Sequence, residues 1–101
     1  MHFQHLTYWQ DKAKNSAIEN RLFINGAYCD AADNATFDTV NPATQQTLAN
    51  VARGKQADVD RAVQAARAVF ERGDWSQASP AQRKAVLNTL ADLMERHSEE
   101  L

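Results

Sequence analysis

The chain has 101 residues, of which 44% are hydrophobic and 24% charged, a composition that indicates a folded protein and excludes a disordered tail. Its net charge of −2 and scattered basic residues argue against a nucleic-acid partner, and no apolar run reaches the length of a membrane span or of a signal peptide. The one cysteine, Cys29, excludes an internal disulfide, so we expect a cytoplasmic protein.

Residues 1–20 form a polar lead-in with a weakly helical stretch over residues 9–18, which we interpret as an amino-terminal arm. The pair Asn25-Gly26 follows and lies between two β-prone runs. This arrangement predicts a hairpin, because a type I′ turn needs positive φ at both central residues.

A second hairpin is predicted from the segments on either side of Asn41-Pro42. Thr36–Val40 alternates with period two, and Thr47–Ala52 is typical of a returning strand. Proline ends the first strand because it cannot extend a ladder of hydrogen bonds.

Residues 58–72 then change to a helical period. The apolar positions fall on one continuous face: Val59, Ala62, Val63, Ala66 and Phe70. Gly73 predicts the end of this helix. Its start is less defined, because neither Lys55 nor Gln56 is a good cap, and Asp58 belongs in the first turn, where it complements the helix dipole.

The last helix has a clear start. Ser79 can cap, Pro80 suits the first helical position, and Gln82 completes a capping box. Its apolar stripe consists of Val86, Leu87, Leu90, Leu93 and Met94. The helical pattern continues to Leu101 without a terminating residue, so we expect an amino-terminal piece of a longer subunit.

Catalytic chemistry is not expected within these residues. The glycines at 26, 54 and 73 are too far apart for a nucleotide-binding loop, and a packed or half-exposed strand residue is the favoured interpretation of Cys29. His2 and His5 have a spacing that allows metal binding, but solvated side chains near a terminus are the better interpretation. His97 is expected at the surface, and Trp75 is expected to pack between the two helices.

Two interpretations of the apolar stripe remain open. It is either buried in a complete domain, which we favour, or it is a partner-binding face. The second interpretation gives the alternative function, a free-standing interaction module of hairpins and helices that binds a protein partner.

Several of these segments together resemble the amino-terminal region of the aldehyde dehydrogenase superfamily. The residues that carry the resemblance are Phe23-Ile24-Asn25-Gly26, the run from Thr36 to Thr44, Asp58-Val59-Asp60-Arg61-Ala62-Val63, Ala65-Ala66-Arg67, Trp75 and the run from Leu87 to Glu95. The lead-in from His5 to Lys12 and the run from Phe70 to Ser76 resemble more narrowly the bacterial γ-glutamyl-γ-aminobutyraldehyde dehydrogenases of putrescine breakdown.

The resemblance implies an α/β subunit several times longer, with an NAD(P)-binding domain, a catalytic domain and an element for homo-oligomerisation. It places residues 21–101 in an incomplete amino-terminal part of the NAD(P)-binding domain, as two β-hairpins followed by two amphipathic helices. The family's nucleophilic cysteine, its glutamate and its cofactor-binding residues all match later segments, so none maps onto this chain, which alone is expected to be inactive and to bind no NAD or NADP.

Two further points come from the resemblance. In several family members a backbone carbonyl at the position of Thr39 helps to bind a structural monovalent cation, with its other ligands downstream. The family often has Gly-Glu after Asn-Pro-Ala-Thr, whereas Gln45-Gln46 follow here. A glutamine is tolerable there if the turn is of type I.

Overall fold

The computed structural model describes residues 4–101 of the chain. Its elements in chain order are α1 (Leu6–Asn15), β1 (Leu22–Ile24), β2 (Ala27–Cys29), β3 (Thr36–Val40), β4 (Thr47–Ala52), α2 (Gln56–Arg72) and α3 (Pro80–Arg96). Each strand pairs with its neighbour in sequence, which gives two separate two-stranded antiparallel sheets. None of the helices in this part of the chain is both long and apolar enough to cross a membrane.

The chain divides into two compact units, with the division between Val59 and Asp60. The first unit contains α1 and both hairpins, and the second contains most of α2 together with α3. The predicted sequence of two hairpins followed by two helices is confirmed, and α1 precedes them.

Helix α1 lies in the polar lead-in and begins three residues before the predicted stretch. At its carboxyl end, the Asn15 side chain donates to the Asp11 carbonyl at 2.9 Å and the Ser16 hydroxyl donates to the Lys12 carbonyl at 2.7 Å. Both are local bonds from a side chain to the carbonyl four residues earlier. No residue of α1 is buried.

The β1–β2 hairpin is built around the Asn25-Gly26 pair. The two residues have φ values of 55° and 77°. Ile24 pairs with Ala27, and the loop therefore contains two residues. Positive φ at both loop residues is the requirement of a type I′ turn, and the predicted turn is confirmed.

The β3–β4 hairpin has the predicted strands and one irregularity. Thr39 pairs with Ala49, whereas Val40 pairs with Thr47, so Leu48 is an extra residue on β4. This is the arrangement of a β-bulge, which leaves the extra residue outside the ladder and bends the strand locally.

The turn between these strands corrects the interpretation of Gln45. The Gln45 N–H donates to the Asn41 carbonyl at 2.7 Å, and Gln45 has a φ of 60°. A type I turn would have kept this residue at negative φ, whereas the observed turn places it in the left-handed region that favours glycine. The glutamine is therefore held in an unfavourable backbone conformation.

Helix α2 begins at Gln56, two residues before its predicted start, and ends at Arg72 as predicted. Gly73 ends it with a φ of 75°, and its N–H donates to the carbonyls of Val69 and Phe70 at 3.2 and 3.1 Å. A Cβ atom at this position would lie 2.6 Å from the Gln77 Cδ atom. The positive φ is the reason for glycine here, since the Gln77 atoms belong to a flexible side chain that can move away.

Helix α3 has the predicted capping box. The Ser79 hydroxyl accepts the Gln82 N–H at 3.2 Å, and the Gln82 side chain accepts the Ser79 N–H at 2.9 Å. The expectation that the helix continues to Leu101 is wrong, because it ends at Arg96 and residues 97–100 form turns. Glu99 and Glu100 would lie at the negative end of the helix dipole, where acidic side chains disfavour further helix.

Little apolar surface is buried within these elements. Among the described residues Ala31 is the one buried hydrophobic side chain, at 3% exposure. The larger apolar side chains of α2 and α3 are exposed: Val59, Val63, Val69, Phe70, Val86, Leu87, Leu90, Leu93 and Met94.

Candidate functional site

Among the described residues, Asp58 is the buried polar or charged side chain. It lies in the first turn of α2 and is 3% exposed. Its Oδ2 accepts the Lys55 N–H at 3.0 Å, and its Oδ1 accepts the Ala32 N–H at 2.9 Å. One side chain therefore satisfies two backbone donors from separate segments, and we call this arrangement the Asp58 clamp.

A second carboxylate, Asp33, reinforces the same connection at the surface. Its Oδ2 lies 2.5 Å from the Lys55 Nζ, and its Oδ1 accepts the Ala35 N–H at 3.0 Å. The hydrogen bond from the Lys55 ammonium, followed by that from Ala35, lowers the pKa of Asp33 from its ordinary value. Asp33 is therefore held in its charged form by the residues that it joins.

The hydrogen bonds of the Asp58 clamp have the geometry of a structural contact. The bond to Lys55 is the acidic half of a capping box, in which the third helical residue satisfies the N–H of the cap residue. The sequence predicted Asp58 in the first helical turn but not its bond to Ala32. The bond to Lys55 is indicated in the sequence by an aspartate three residues after this poor cap. The bond to Ala32, 26 residues away, leaves no local pattern in the sequence.

Cys29 lies at the end of β2, opposite Leu22, and is a free, half-buried thiol. The sequence interpretation as a packed or half-exposed strand residue is confirmed. The strand provides no helix amino terminus at the thiol, which is one of the usual means of activating a cysteine.

The two histidines that the structure describes lie at the ends of different helices. His5 precedes α1, and His97 follows α3 at the surface, with its Nδ1 3.4 Å from a Glu100 carboxylate oxygen. His2, the other member of the predicted metal pair, lies outside the described residues. Within residues 4–101 no group of three or more His, Cys, Asp or Glu side chains has an arrangement suited to a metal ion.

Thr39 lies on β3 at the bulge. It is half-buried and pairs with Ala49, directly before the position where the register shifts. A bulge releases local backbone groups from the regular ladder. Carbonyl oxygen is also a suitable donor for hard cations such as alkali-metal ions.

Trp75 lies between α2 and α3 and is 46% exposed. It lines a shallow hollow of about 260 Å³ together with Gly73, Asp74, Gln77, Ala78, Gln82 and Val86. The indole thus faces residues of α3 and of the connection, while much of its surface remains exposed. The hollow is smaller and shallower than the clefts that enclose small-molecule ligands.

The comparisons with known proteins decide the family. The chain matches the aldehyde dehydrogenase family over residues 28–101. It is 70% identical over all of its 101 residues to the NADP/NAD-dependent aldehyde dehydrogenase PuuC of Escherichia coli, of which it covers 20%. The chain belongs to the aldehyde dehydrogenase family.

Solved structures of the family contain the same fold. The chain is similar to the γ-glutamyl-γ-aminobutyraldehyde dehydrogenase of Burkholderia cenocepacia, with 47% identity and a TM-score of 0.86 over 94% of this chain and 19% of that one. It is also similar to the indole-3-acetaldehyde dehydrogenase AldA of P. syringae in complex with NAD⁺, with 44% identity and a TM-score of 0.81 over 91% of this chain and 19% of that one.

The chain spans about a fifth of the length of the relatives that it matches. The family membership shows how apolar faces such as those of α2 and α3 can be covered, because the matched proteins contain about four times as many further residues against which such faces can pack. The resemblance recognised from the motifs is confirmed, including the match to a γ-glutamyl-γ-aminobutyraldehyde dehydrogenase.

Proposed function

We propose that this chain supplies the amino-terminal scaffold of an NAD(P)-dependent aldehyde dehydrogenase that oxidises γ-glutamyl-γ-aminobutyraldehyde to the corresponding acid. The 70% identity to the E. coli protein over the whole chain carries the proposal. The similarity to a solved γ-glutamyl-γ-aminobutyraldehyde dehydrogenase supports the substrate. The complete protein is proposed to act in the cytoplasm, in putrescine degradation, as a homo-oligomer.

Within that protein, residues 21–101 form the first part of the NAD(P)-binding domain, and residues 1–20 form an arm. The chain contributes no catalytic or cofactor-binding side chain in this proposal. Its role is to present the exposed apolar faces of α2 and α3 to the remainder of the subunit, which is its first partner. Burial of such faces stabilises a fold by about 25 cal/mol for each Å² removed from water.

The Thr39 carbonyl contributes one ligand to a structural monovalent-cation site whose other ligands lie elsewhere in the complete protein. The support is the position of Thr39 beside the bulge, where the ladder is interrupted. One carbonyl oxygen does not hold an alkali-metal ion by itself, so the 101-residue chain is expected to respond equally to KCl and to choline chloride. The complete protein is expected to unfold at a higher temperature in KCl at equal ionic strength.

A chimera tests the proposed function. The 101 residues replace the matched fifth of the E. coli relative, and formation of NADH or NADPH is followed by absorbance with γ-glutamyl-γ-aminobutyraldehyde as substrate. The chimera should oxidise the aldehyde at a rate within about tenfold of the parent, since the exchanged residues lie outside the reacting groups. The 101-residue chain alone should show no activity.

A folded chimera that binds NAD⁺ but leaves the aldehyde unchanged would contradict the proposed role. Circular dichroism and the elution volume establish that the chimera folds. As a matched control, the E. coli parent is reassembled with its own residues at the same junctions and in the same expression vector. This control separates the effect of the sequence from that of the manipulation.

A further inference from the structure

The loop of the β1–β2 hairpin contains the one Asn-Gly pair of the sequence. Both Asn25 and Gly26 are exposed, and a Cβ atom added at Gly26 would have no atom of a non-adjacent residue within 4 Å. The Gly26 N–H has no hydrogen-bond acceptor within residues 4–101. The backbone nitrogen that follows Asn25 is therefore open to approach and is not held by an acceptor.

The φ of Asn25 is the one that ring closure between its side chain and the Gly26 nitrogen requires. A five-membered imide brings the Cβ–Cα–C–N torsion close to zero, which for an L residue corresponds to a ψ of about −120°. This ψ, together with a φ of about 60°, is the conformation of the first loop residue in a type II′ turn. Asn25 has a φ of 55°, so only the peptide plane between the two residues has to rotate.

Glycine allows this rotation without opening the hairpin. The rotation takes Gly26 from its φ of 77° to about −80°, and glycine occupies both regions with similar ease. Types I′ and II′ are both two-residue hairpin turns, so the pairing of Ile24 with Ala27 can persist. The ring can therefore close in the folded chain.

Asn34 is an internal comparison with a similar backbone conformation. It is exposed and has a φ of 57°, and Ala35 follows it. The Ala35 N–H donates to the Asp33 carboxylate at 3.0 Å. Ala35 also has a Cβ atom, which restricts the rotation that glycine allows. The nitrogen that would attack the Asn34 side chain is thus held by an acceptor and shielded.

We propose that Asn25 is a site of spontaneous deamidation in the folded chain, through a cyclic imide with the Gly26 nitrogen. This nitrogen loses its proton and bonds to the Asn25 Cγ atom, and the side-chain amide leaves as ammonia. Water then adds to one of the two imide carbonyls and breaks its bond to the ring nitrogen, which gives aspartate or isoaspartate without any change of oxidation state. Either product adds one negative charge to the net charge of −2. The inference does not rest on the proposed enzymatic function.

Incubation in mildly alkaline buffer tests the site. Chymotrypsin then cleaves after Tyr28 and separates the two asparagines for mass spectrometry. The Asn25 peptide should gain about 1 Da and contain isoaspartate, which an isoaspartyl methyltransferase labels and which arises only through the imide. The rate at Asn25 should exceed that at Asn34 by at least about tenfold. A smaller ratio, or aspartate as the sole product, overturns the proposal.

A variant and a denatured sample complete the test. Asn25→Gly retains a pair that forms the same turn and should abolish the charge change of the intact chain in isoelectric focusing. In concentrated urea, where circular dichroism shows an unfolded chain, the rate at Asn25 should lie within about tenfold of the rate in the folded chain, since ring closure leaves the strands paired. A charge change that persists in the variant overturns the proposal. So does a folded chain that reacts more slowly than this, because the hairpin would then have to open first.

Discussion

The carboxylate of Asp58 accepts a hydrogen bond from the backbone N–H of Ala32, which lies 26 residues earlier in the chain. Its second oxygen accepts the N–H of Lys55, directly before α2. The connection between the hairpins is thereby attached to the start of the helix through one side chain. With few apolar side chains buried nearby, this polar attachment has a larger share in holding the first unit together than it would in a protein with an extensive core.

Asp58→Asn should destabilise the chain by about 1–3 kcal/mol, because the amide replaces one acceptor oxygen of a buried side chain by a donor and leaves one backbone N–H without its acceptor. The free energy of unfolding is measured by urea titration with detection at the helical circular dichroism band. Asp11→Asn, an exposed position in the same unit, is the matched control and should change it by less than about 0.5 kcal/mol. Equal effects of the two variants would contradict the clamp.

Gln45→Gly should stabilise the β3–β4 hairpin by about 0.5–1 kcal/mol, because a residue with a Cβ atom is disfavoured at a φ of 60°. The neighbouring Gln46→Gly is the control. Gln46 is not at positive φ, so glycine there gains nothing and adds backbone entropy to the unfolded chain. Unfolding temperatures that shift in opposite directions confirm the assignment, and a shared decrease contradicts it.

Gly73→Ala should destabilise the junction after α2 by about 1–2 kcal/mol through its positive φ and its contact with Gln77. The double variant Gly73→Ala/Gln77→Ala separates the two causes, because it removes the contact and retains the backbone strain. Gly54→Ala is the control, since a Cβ there would lie 3.6 Å from a Leu22 methyl carbon, an ordinary contact. We expect the double variant to recover part of the loss and the control to be nearly neutral in thermal unfolding.

Ser79→Ala should destabilise α3 by about 1 kcal/mol, because the Gln82 N–H loses its acceptor. Gln82→Ala removes the reciprocal bond, so the double variant should lose less than the sum of the two single losses. Ser76→Ala, in the preceding connection, serves as the control. Additive losses in urea titrations would show that the two side chains act separately rather than as a capping box.

Acid should release the contact between Asp33 and Lys55. The hydrogen bond from Lys55 lowers the pKa of Asp33 below 3.8, so its stabilising contribution is present above that value and is lost as the pH falls through the lower folded pKa. The side-chain carboxyl carbon shift of Asp33, followed by NMR, should therefore have its midpoint below 3.8. Lys55→Met should raise the midpoint, whereas Lys14→Met should leave it unchanged.

The sequence predicted those features that depend on neighbouring residues. The Asn25-Gly26 turn, the capping box of Ser79 and the glycine stop at Gly73 are all determined by local backbone chemistry, and all three are confirmed. The family could likewise be recognised from the order of its motifs. The bond from Ala32 to Asp58 could not be predicted, because it joins two segments that are distant in the sequence. The left-handed conformation of Gln45 could not be predicted either, because it depends on the conformation of the whole turn between β3 and β4. The predicted continuation of α3 to Leu101 is wrong, and the sequence has no terminating residue that indicates its end at Arg96.

The pairing of each strand with its immediate neighbour has a consequence for synthesis of the protein. Each hairpin can form as soon as its own residues have left the ribosome, because it needs no contact with distant segments. The clamp closes the first unit once Asp58 has emerged. The first unit can therefore become ordered during synthesis through contacts among its own residues.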